Sequence, residues 1–465
     1  LKTLEPAPGR SIHPEKTMPS ATVITLGCKV NQYESSGLSQ ALVEAGYTLV
    51  PLGRPADLTV INTCTVTAKA DREVRALVRR AMRTSPEGRC VLTGCLAQTR
   101  PEELAALPGV SLVVGQAQKT DFLRLLAEAE AGGARVVIEP LLKSRPVPDW
   151  GFPAFERTRV FFRIQDGCSA GCAYCIVPQA RGPSRSLPAD RVLEGLRAYA
   201  RAGQAEVVLS GIHLGAWGLD LKPPTRLADL LARLAEEPLG LRFRLSSIEP
   251  LEVSEDVIRV LRSSPVFCPH LHLPLQSGDD AVLARMRRPY RTGFFEELVL
   301  GLTRDWPELC LGADVLVGFP GEDEAAFAHT RDLIQRLPLA YLHVFPYSKR
   351  PGTAAADLAN PVHGPKRQKR AALLREIGQA KREAFLKRHL GQVRPTLVEN
   401  TPDPASGLAR GLTDNYIRVL IQDPNPPLGR VAPVRLTGPG PKNHLFGRLV
   451  PPESNPLTLE KISVI

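Results

Sequence analysis

Between residues 159 and 346 one unit recurs six times, a short apolar strand followed by an amphipathic helix, and nothing else in the sequence narrows the fold as far. The strand candidates are 159–164, 205–210, 241–246, 270–274, 311–317 and 340–346. The helices lie near 188–202, 225–236, 254–263, 279–287, 293–305 and 323–336. Such alternation builds a parallel sheet, because parallel neighbours need a long crossover connection. Eight units close a barrel and six fall short, so the expectation is an open, partial (β/α)6 barrel with its chemistry in the loops after the strands.

Those loops carry the reactive residues. The first is Asp166-Gly167-Cys168-Ser169-Ala170-Gly171-Cys172-Ala173-Tyr174-Cys175, with its cysteines spaced Cys-x3-Cys-x2-Cys. Thiolates select iron–sulfur clusters or zinc. Structural zinc wants four protein ligands, and the nearest further histidine in sequence is His213. Three thiolates leave one iron of a four-iron cluster open to an outside ligand. The later loops hold Gly211 and His213, Ser247 and Glu249, Gln276, then Asp314 with Gly318-Phe319-Pro320-Gly321-Glu322, and finally 347–353. Singly these have plain readings. Glu249 and Glu322 suit helix caps, His213 a satisfied core histidine, and His270 and His272 structural positions within a strand.

Upstream, 21–140 alternates strands at 21–28, 57–64, 90–95, 111–115 and 135–140 with helices near 31–46, 68–84, 101–107 and 119–130. This is a doubly wound α/β domain. Cys28, Cys64 and Cys95 each end a strand, and ligands of open α/β sheets bind outside the carboxyl ends. Alone, each is a small buried hydrophobe; together they favour a second cluster. Cys90 begins its strand and reads as structural.

The 465 residues imply two or three domains. Residues 1–20 read as a disordered Pro-rich leader and 141–157 as a linker, so the central domain spans 158–389. Its last part, 365–389, carries nine Lys and Arg on a helix striped by Leu373, Ile377, Ala380 and Ala384. That helix is either a solvated connector or a phosphate contact. Short strands at 392–399, 415–422, 429–436 and 445–450 predict a small β-barrel over 390–451, with 452–465 as a tail. A net charge of +11 points to a polyanionic partner. Nine cysteines, an odd number, favour a reducing compartment. No apolar run approaches a bilayer span, so no membrane is expected.

The cysteine loop, with an aromatic before its third Cys, resembles the radical S-adenosylmethionine (SAM) superfamily. Thr25-Leu26-Gly27-Cys28-Lys29-Val30-Asn31-Gln32-Tyr33-Glu34-Ser35, Asn62-Thr63-Cys64-Thr65-Val66 and Gly94-Cys95-Leu96-Ala97-Gln98 resemble the N-terminal domain of methylthiotransferases. Gly411-Leu412-Thr413-Asp414-Asn415-Tyr416-Ile417-Arg418-Val419 and 434–438 resemble a TRAM domain, an RNA-binding barrel. The resemblance implies a [4Fe–4S] cluster on Cys168, Cys172 and Cys175 that chelates and cleaves SAM, and an auxiliary [4Fe–4S] cluster on Cys28, Cys64 and Cys95. It implies two SAM molecules spent, one methylating sulfur and one yielding the radical that activates an adenine C2. By motif position Tyr174, Gly211, Ser247, Gln276, Arg288 and Asp314 would line the SAM pocket. Glu249, Tyr416, Arg418 and Arg435 would meet the substrate.

The family divides by substrate. Residues 27–34, 246–250 and 413–416 most resemble the branch acting on N6-threonylcarbamoyladenosine (t6A) beside the tRNA anticodon. The isopentenyladenosine branch usually has Gln-Met-Asn after its first Cys and the ribosomal-protein branch Pro-Lys-Asn, where this chain has Lys29-Val30-Asn31. Implied partners are tRNA, an electron donor of flavodoxin or ferredoxin type and a sulfur source, in the cytoplasm. The contrasting expectation is a non-catalytic RNA-binding protein stabilised by zinc, which would be colourless where clusters are brown.

Overall fold

The computed structural model describes residues 18–154 and 158–451; the leader, apart from 18–20, and the tail over 452–465 lie outside them. Strands β1 (Ser20–Thr25), β2 (Thr48–Leu49), β3 (Leu58–Thr63), β4 (Arg89–Gly94), β5 (Val110–Val114) and β6 (Val136–Val137) form one sheet in the order β2-β1-β3-β4-β5-β6. Every pairing is parallel. β3 is buried at all six positions, as a central parallel strand covered on both faces must be. One face packs on Leu38, Leu42 and Phe122, the other on Val74, Val78 and Leu104. The order decides the chemistry, since β1, β3 and β4 are neighbours and the loops bearing Cys28, Cys64 and Cys95 leave the sheet side by side. The two-residue strand β2 escaped sequence periodicity.

The described part of the segment expected as a linker, 141–154, is tied down at 150 and 151. Trp150 covers Gly37, where any Cβ would strike its ring, and Tyr33 donates to the Gly151 carbonyl at 3.1 Å.

The central domain follows with β7 (Val160–Arg163), β8 (Gln165–Asp166), β9 (Arg185–Ser186), β10 (Glu206–Ser210), β11 (Arg242–Leu245), β12 (His270–Gln276), β13 (Cys310–Val317) and β14 (Tyr341–Pro346). Six are parallel, in two three-stranded sheets, β7-β10-β11 and β12-β13-β14. Backbone bonds from Cys268 to Phe243 (2.8 Å) and from Ile248 to His272 (3.1 Å) join the sheets. Among the described residues no ladder links β14 to β7, so the barrel is open there. β8 and β9 form an unexpected antiparallel pair behind the cysteine loop. Alternation divides the strands. Val160, Phe162, Leu209, Phe243, Leu273 and Val315 pack outward under the helices. The alternate set, including Glu206, Arg244, His272, Asp314 and His343, turns into a polar lumen.

Strands β15 (Val393–Val398), β16 (Ala409–Thr413), β17 (Arg418–Ile421), β18 (Val431–Pro439) and β19 (His444–Leu449) close a barrel in the order β15-β16-β17-β19-β18. This barrel is docked on the central domain. Arg242 donates to the carbonyls of Pro395 (2.9 Å) and Leu412 (2.8 Å), and Arg244 to those of Asp414 (2.8 Å) and Thr413 (3.1 Å). Glu206, fully buried, holds both guanidiniums. The basic helix Gly364–Arg388 is neither a solvated connector nor a free phosphate surface throughout. Arg370 pairs with buried Glu322, while Arg375, Lys381, Arg382 and Arg388 donate to carbonyls of Val344, Leu337, Tyr416 and Pro307. Four of these contacts fasten the helix to its own domain, and the bond from Arg382 to Tyr416 clasps the terminal barrel.

Candidate active site

The cysteine loop folds as its glycine demands. Gly167 has φ +73°, and a Cβ there would collide with the Pro183 carbonyl. Asp166 accepts from the Gly167 amide (2.8 Å), Cys168 donates through its amide to Gly182 (3.0 Å), and Cys175 to Cys172 (3.1 Å). The three thiols lie within each other's fields, and burial pushes Cys175 up to about 12. The N-terminal trio converges likewise. Gly27 has φ +97°, and a Cβ there would lie 2.9 Å from Cys64 Sγ. Burial, then Cys95, pushes Cys64 up to about 12. Gln116 donates to Cys95 Sγ at 3.5 Å, and Asn31 sits 3.8 Å from Cys28 Sγ while donating to the carbonyls of Leu26 and Thr63.

Sequence distance misjudged His213. Its Nδ1 is 3.6 Å from Cys168 Sγ and its Nε2 is 2.6 Å from Glu252, so a histidine does stand beside the trio. The bonds to Cys168 and Glu252 push it up to about 10. The width of the site argues against a lone ion instead. Zinc–thiolate bonds of ~2.3 Å hold sulfurs within about 4 Å of one another. Among the described residues the one group of three ligand atoms all within 4.8 Å of each other is His272, Asp314 and His343, and neither cysteine trio is that tight. Two sets of three spread, soft donors fit polynuclear iron–sulfur groups.

Arg288 stands over the first trio. Its Nη1 is 3.2 Å from Cys172 Sγ, its Nη2 pairs with Glu249, and Nε faces the Tyr290 hydroxyl at 3.3 Å. Glu249 is therefore not the helix cap that its position allowed. It braces the guanidinium at the cysteine loop and makes no side-chain cap bond. Burial raises its carboxyl above the ordinary range, against the opposing field of Arg288. Tyr174 packs edge-on against Phe319 at 6.4 Å. Gly211 is confined by Gln165 and Leu214, Ser247 is exposed, and Gln276 adopts φ +63° at a bulge in β12. Asp314, expected to line the SAM pocket, stands on β13. It lies in the lumen, 2.9 Å from His272 Nε2 and 3.5 Å from His343 Nδ1. Burial lifts its carboxyl, but the bonds of both histidines outweigh this and hold it well below the usual range.

The expected substrate residues scatter. Tyr416 is no free stacking platform, because its ring packs on His270 (4.2 Å), Arg244 (5.2 Å) and Tyr341 (5.9 Å). Arg418 is exposed and lines a 600 Å³ cavity with Arg159, Phe161 and Arg410 between β7 and the terminal barrel. Arg435 is exposed on β18 and donates to the Gly391 carbonyl.

A buried ionic group unnoticed in the sequence joins the two trios. Glu34 lies on the helix Lys29–Glu44 that Cys28 opens. It accepts from Lys119 Nζ (2.7 Å), Arg163 Nη1 (3.2 Å) and both terminal nitrogens of Arg181 (3.0 and 3.1 Å). Arg181 also reaches Asp166 at 2.8 Å, beside the Cys168 loop. Burial alone would raise the Glu34 carboxyl; Arg181, Lys119 and Arg163 hold it far below the usual range.

Residues 20–115 match an uncharacterized protein family, UPF0004, and residues 162–334 match the radical SAM superfamily. The threonylcarbamoyladenosine tRNA methylthiotransferase MtaB of Bacillus subtilis is 37% identical across 90% of this chain and 93% of its own. That of Aquifex aeolicus is 36% identical across 85% and 95%. The tRNA-2-methylthio-N(6)-dimethylallyladenosine synthase of Syntrophotalea carbinolica is 32% identical across 93% and 100%. Among solved structures, the radical SAM methyltransferase TsrM of Kitasatospora setae, with cobalamin and a [4Fe-4S] cluster bound, superposes with TM-score 0.54 at 16% identity. It covers 73% of this chain and 77% of its own, a likeness of fold. Two wide three-thiol sites on an α/β domain and an open barrel, with these relatives along nearly the whole chain, place it in the radical-SAM methylthiotransferase family.

Proposed function

We propose that this chain adds a methylthio group to C2 of N6-threonylcarbamoyladenosine in tRNA. The observation that carries the reading is the pair of three-thiol sites fastened to each other through Glu34 and Arg181. Bound there, SAM and two [4Fe–4S] clusters supply the radical and the sulfur chemistry that an unreactive aromatic C–H bond requires. The chain's own residues do the rest. Cys168, Cys172 and Cys175 would bind one cluster and leave a position for SAM, and Cys28, Cys64 and Cys95 would bind the other. Arg288 holds positive charge at Cys172, with Glu249 fixing its orientation. The opening between β14 and β7 admits the base. The t6A branch rather than the isopentenyladenosine branch is supported by the MtaB relatives and by Lys29-Val30-Asn31 after the first cysteine. A low-potential donor of flavodoxin or ferredoxin type and a sulfur source complete the partners, and a tRNA substrate implies the cytoplasm. Among the described residues no helix is long and apolar enough to cross a membrane.

Mass spectrometry of tRNA nucleosides tests the reading. Deleting the gene is expected to remove 2-methylthio-t6A and raise t6A, with wild-type protein restoring the product. Loss of 2-methylthio-isopentenyladenosine instead, or no change, overturns the assignment.

Two further outcomes follow. Glu249→Ala frees Arg288 from its brace, so SAM cleavage in the absence of tRNA should slow roughly 10- to 100-fold. Unchanged 5′-deoxyadenosine formation would return Glu249 to the substrate. For tRNA, charge reversal is a cleaner probe than deletion of 390–465, which would strip Arg242 and Arg244 of their partner carbonyls. Arg418→Glu and Arg435→Glu should each weaken tRNA binding and reduce the salt slope by about 1. Affinity measured across a salt series decides.

A further inference from the structure

One cation, within the fields of the lumen residues Arg244 and Asp314, has no bonded counter-charge. Lys29 is the first residue of the helix Lys29–Glu44, where the positive end of the helix dipole disfavours an ammonium. Among the described residues its ammonium has neither a hydrogen bond nor an ion pair, and the ionised groups whose fields reach it are the guanidiniums of Arg159 and Arg244 and the carboxyl of Asp314. The two lumen carboxylates are already engaged. Glu206 is held by Arg242 and Arg244, and Asp314 by His272 and His343. The β13–β14 register sets Asp314 opposite His343, while His272 stands opposite Gly312, one step along the same face of β12, from where its Nε2 comes within 2.9 Å of Asp314. His272 is immobilised there, its Nδ1 3.0 Å from the Tyr341 hydroxyl, while His343 keeps 54% of its side chain exposed at the open edge.

We propose that Lys29 and His343, the latter braced by Asp314 and His272, bind the amino-acid carboxylate carried on N6 of the substrate adenine. This rests on the reading of t6A as substrate. That substituent ends in a carboxylate, which an isopentenyl group lacks, so a site of this kind selects between the two by leaving its cation unpaired with the wrong base. The same three ligand atoms lie within 4.8 Å of each other and have the composition of a divalent-metal site. Asp314 shares the field of Lys29 with Arg159 and Arg244, so positive charge already gathers there and disfavours a further cation relative to an anion. A cluster on Cys28 is the competing partner for Lys29. His343 belongs to a different strand, and it separates the two cases.

The test uses full-length protein with both clusters, their occupancy checked by iron content and visible spectrum in every variant. The probes are anticodon stem-loop RNAs bearing adenosine, t6A, or the methyl ester of t6A at one position. The wild type is expected to bind the acid roughly 10- to 100-fold more tightly than the ester, the range of a charge-assisted contact. Lys29→Gln and His343→Gln should each bring that ratio close to one. An ester bound as tightly as the acid by the wild type, or a ratio that survives in either variant, overturns the two-residue site. If the ester is also methylthiolated at the rate of the acid, t6A chemistry stands and only this inference falls. If none of the three RNAs yields a methylthiolated product, the proposed function itself has failed.

Discussion

Replacing Cys168, Cys172 and Cys175 together by alanine should leave a protein that binds about four irons instead of about eight and makes no 5′-deoxyadenosine. The remaining neighbours of that site cannot substitute. His213 is a single imidazole already engaged by Glu252, and Arg288 is a cation. Cys64→Ala should behave oppositely. Cys64 follows β3 in the other domain, so SAM cleavage should persist while methylthio product disappears. Iron content, deoxyadenosine and methylthiolated nucleoside, measured on the same preparations, separate the two variants. Deoxyadenosine from the triple variant would sink the assignment of the SAM site, and normal product from Cys64→Ala would reduce Cys64 to a core residue.

The second large effect is expected at Glu34. Glu34→Ala leaves Lys119, Arg163 and Arg181, each about 1% exposed, without their shared counter-charge. Removing one partner of a buried ion group costs about 3–5 kcal/mol, which should appear as a clear fall in thermal stability. The two cysteine trios also lose their tie, so methylthiolation should fall further than SAM cleavage does. The pH dependence has a definite sign. The folded-state carboxyl is held below its unfolded value of about 4.3, so its stabilisation is complete above that pH and fades only as pH drops toward the folded value. Between pH 5 and 8 this group should therefore contribute a constant amount. Equal thermal stability of Glu34→Ala and wild type would show that the network does not bear on folding.

Strands, helices and loop cysteines were legible in the sequence because they are local properties. A period of two or of 3.6 residues needs only neighbours along the chain, and the spacing of Cys168, Cys172 and Cys175 lies within one loop. The strand-end positions of Cys28, Cys64 and Cys95 also followed from pattern, and adjacency of β1, β3 and β4 turned them into one site. Short pieces such as β2 and the β8–β9 pair left no periodic trace, at two residues each.

What only the tertiary structure decided is which side chains meet. His213 beside Cys168, Glu249 on Arg288, and Asp314 between His272 and His343 each join residues 29 to 45 positions apart. Tyr416, expected to meet the substrate, has its ring packed on His270 and Tyr341 because the terminal barrel docks its β16–β17 turn onto the central domain. The nine cations of the basic helix look alike in sequence, yet Arg370 is a buried counter-ion and Arg382 a domain clasp. Charge and polarity say that a side chain needs a partner; the partner is set by strand order and domain docking. Those in turn are driven by burial of apolar faces, which carries no information about the polar groups that arrive with them.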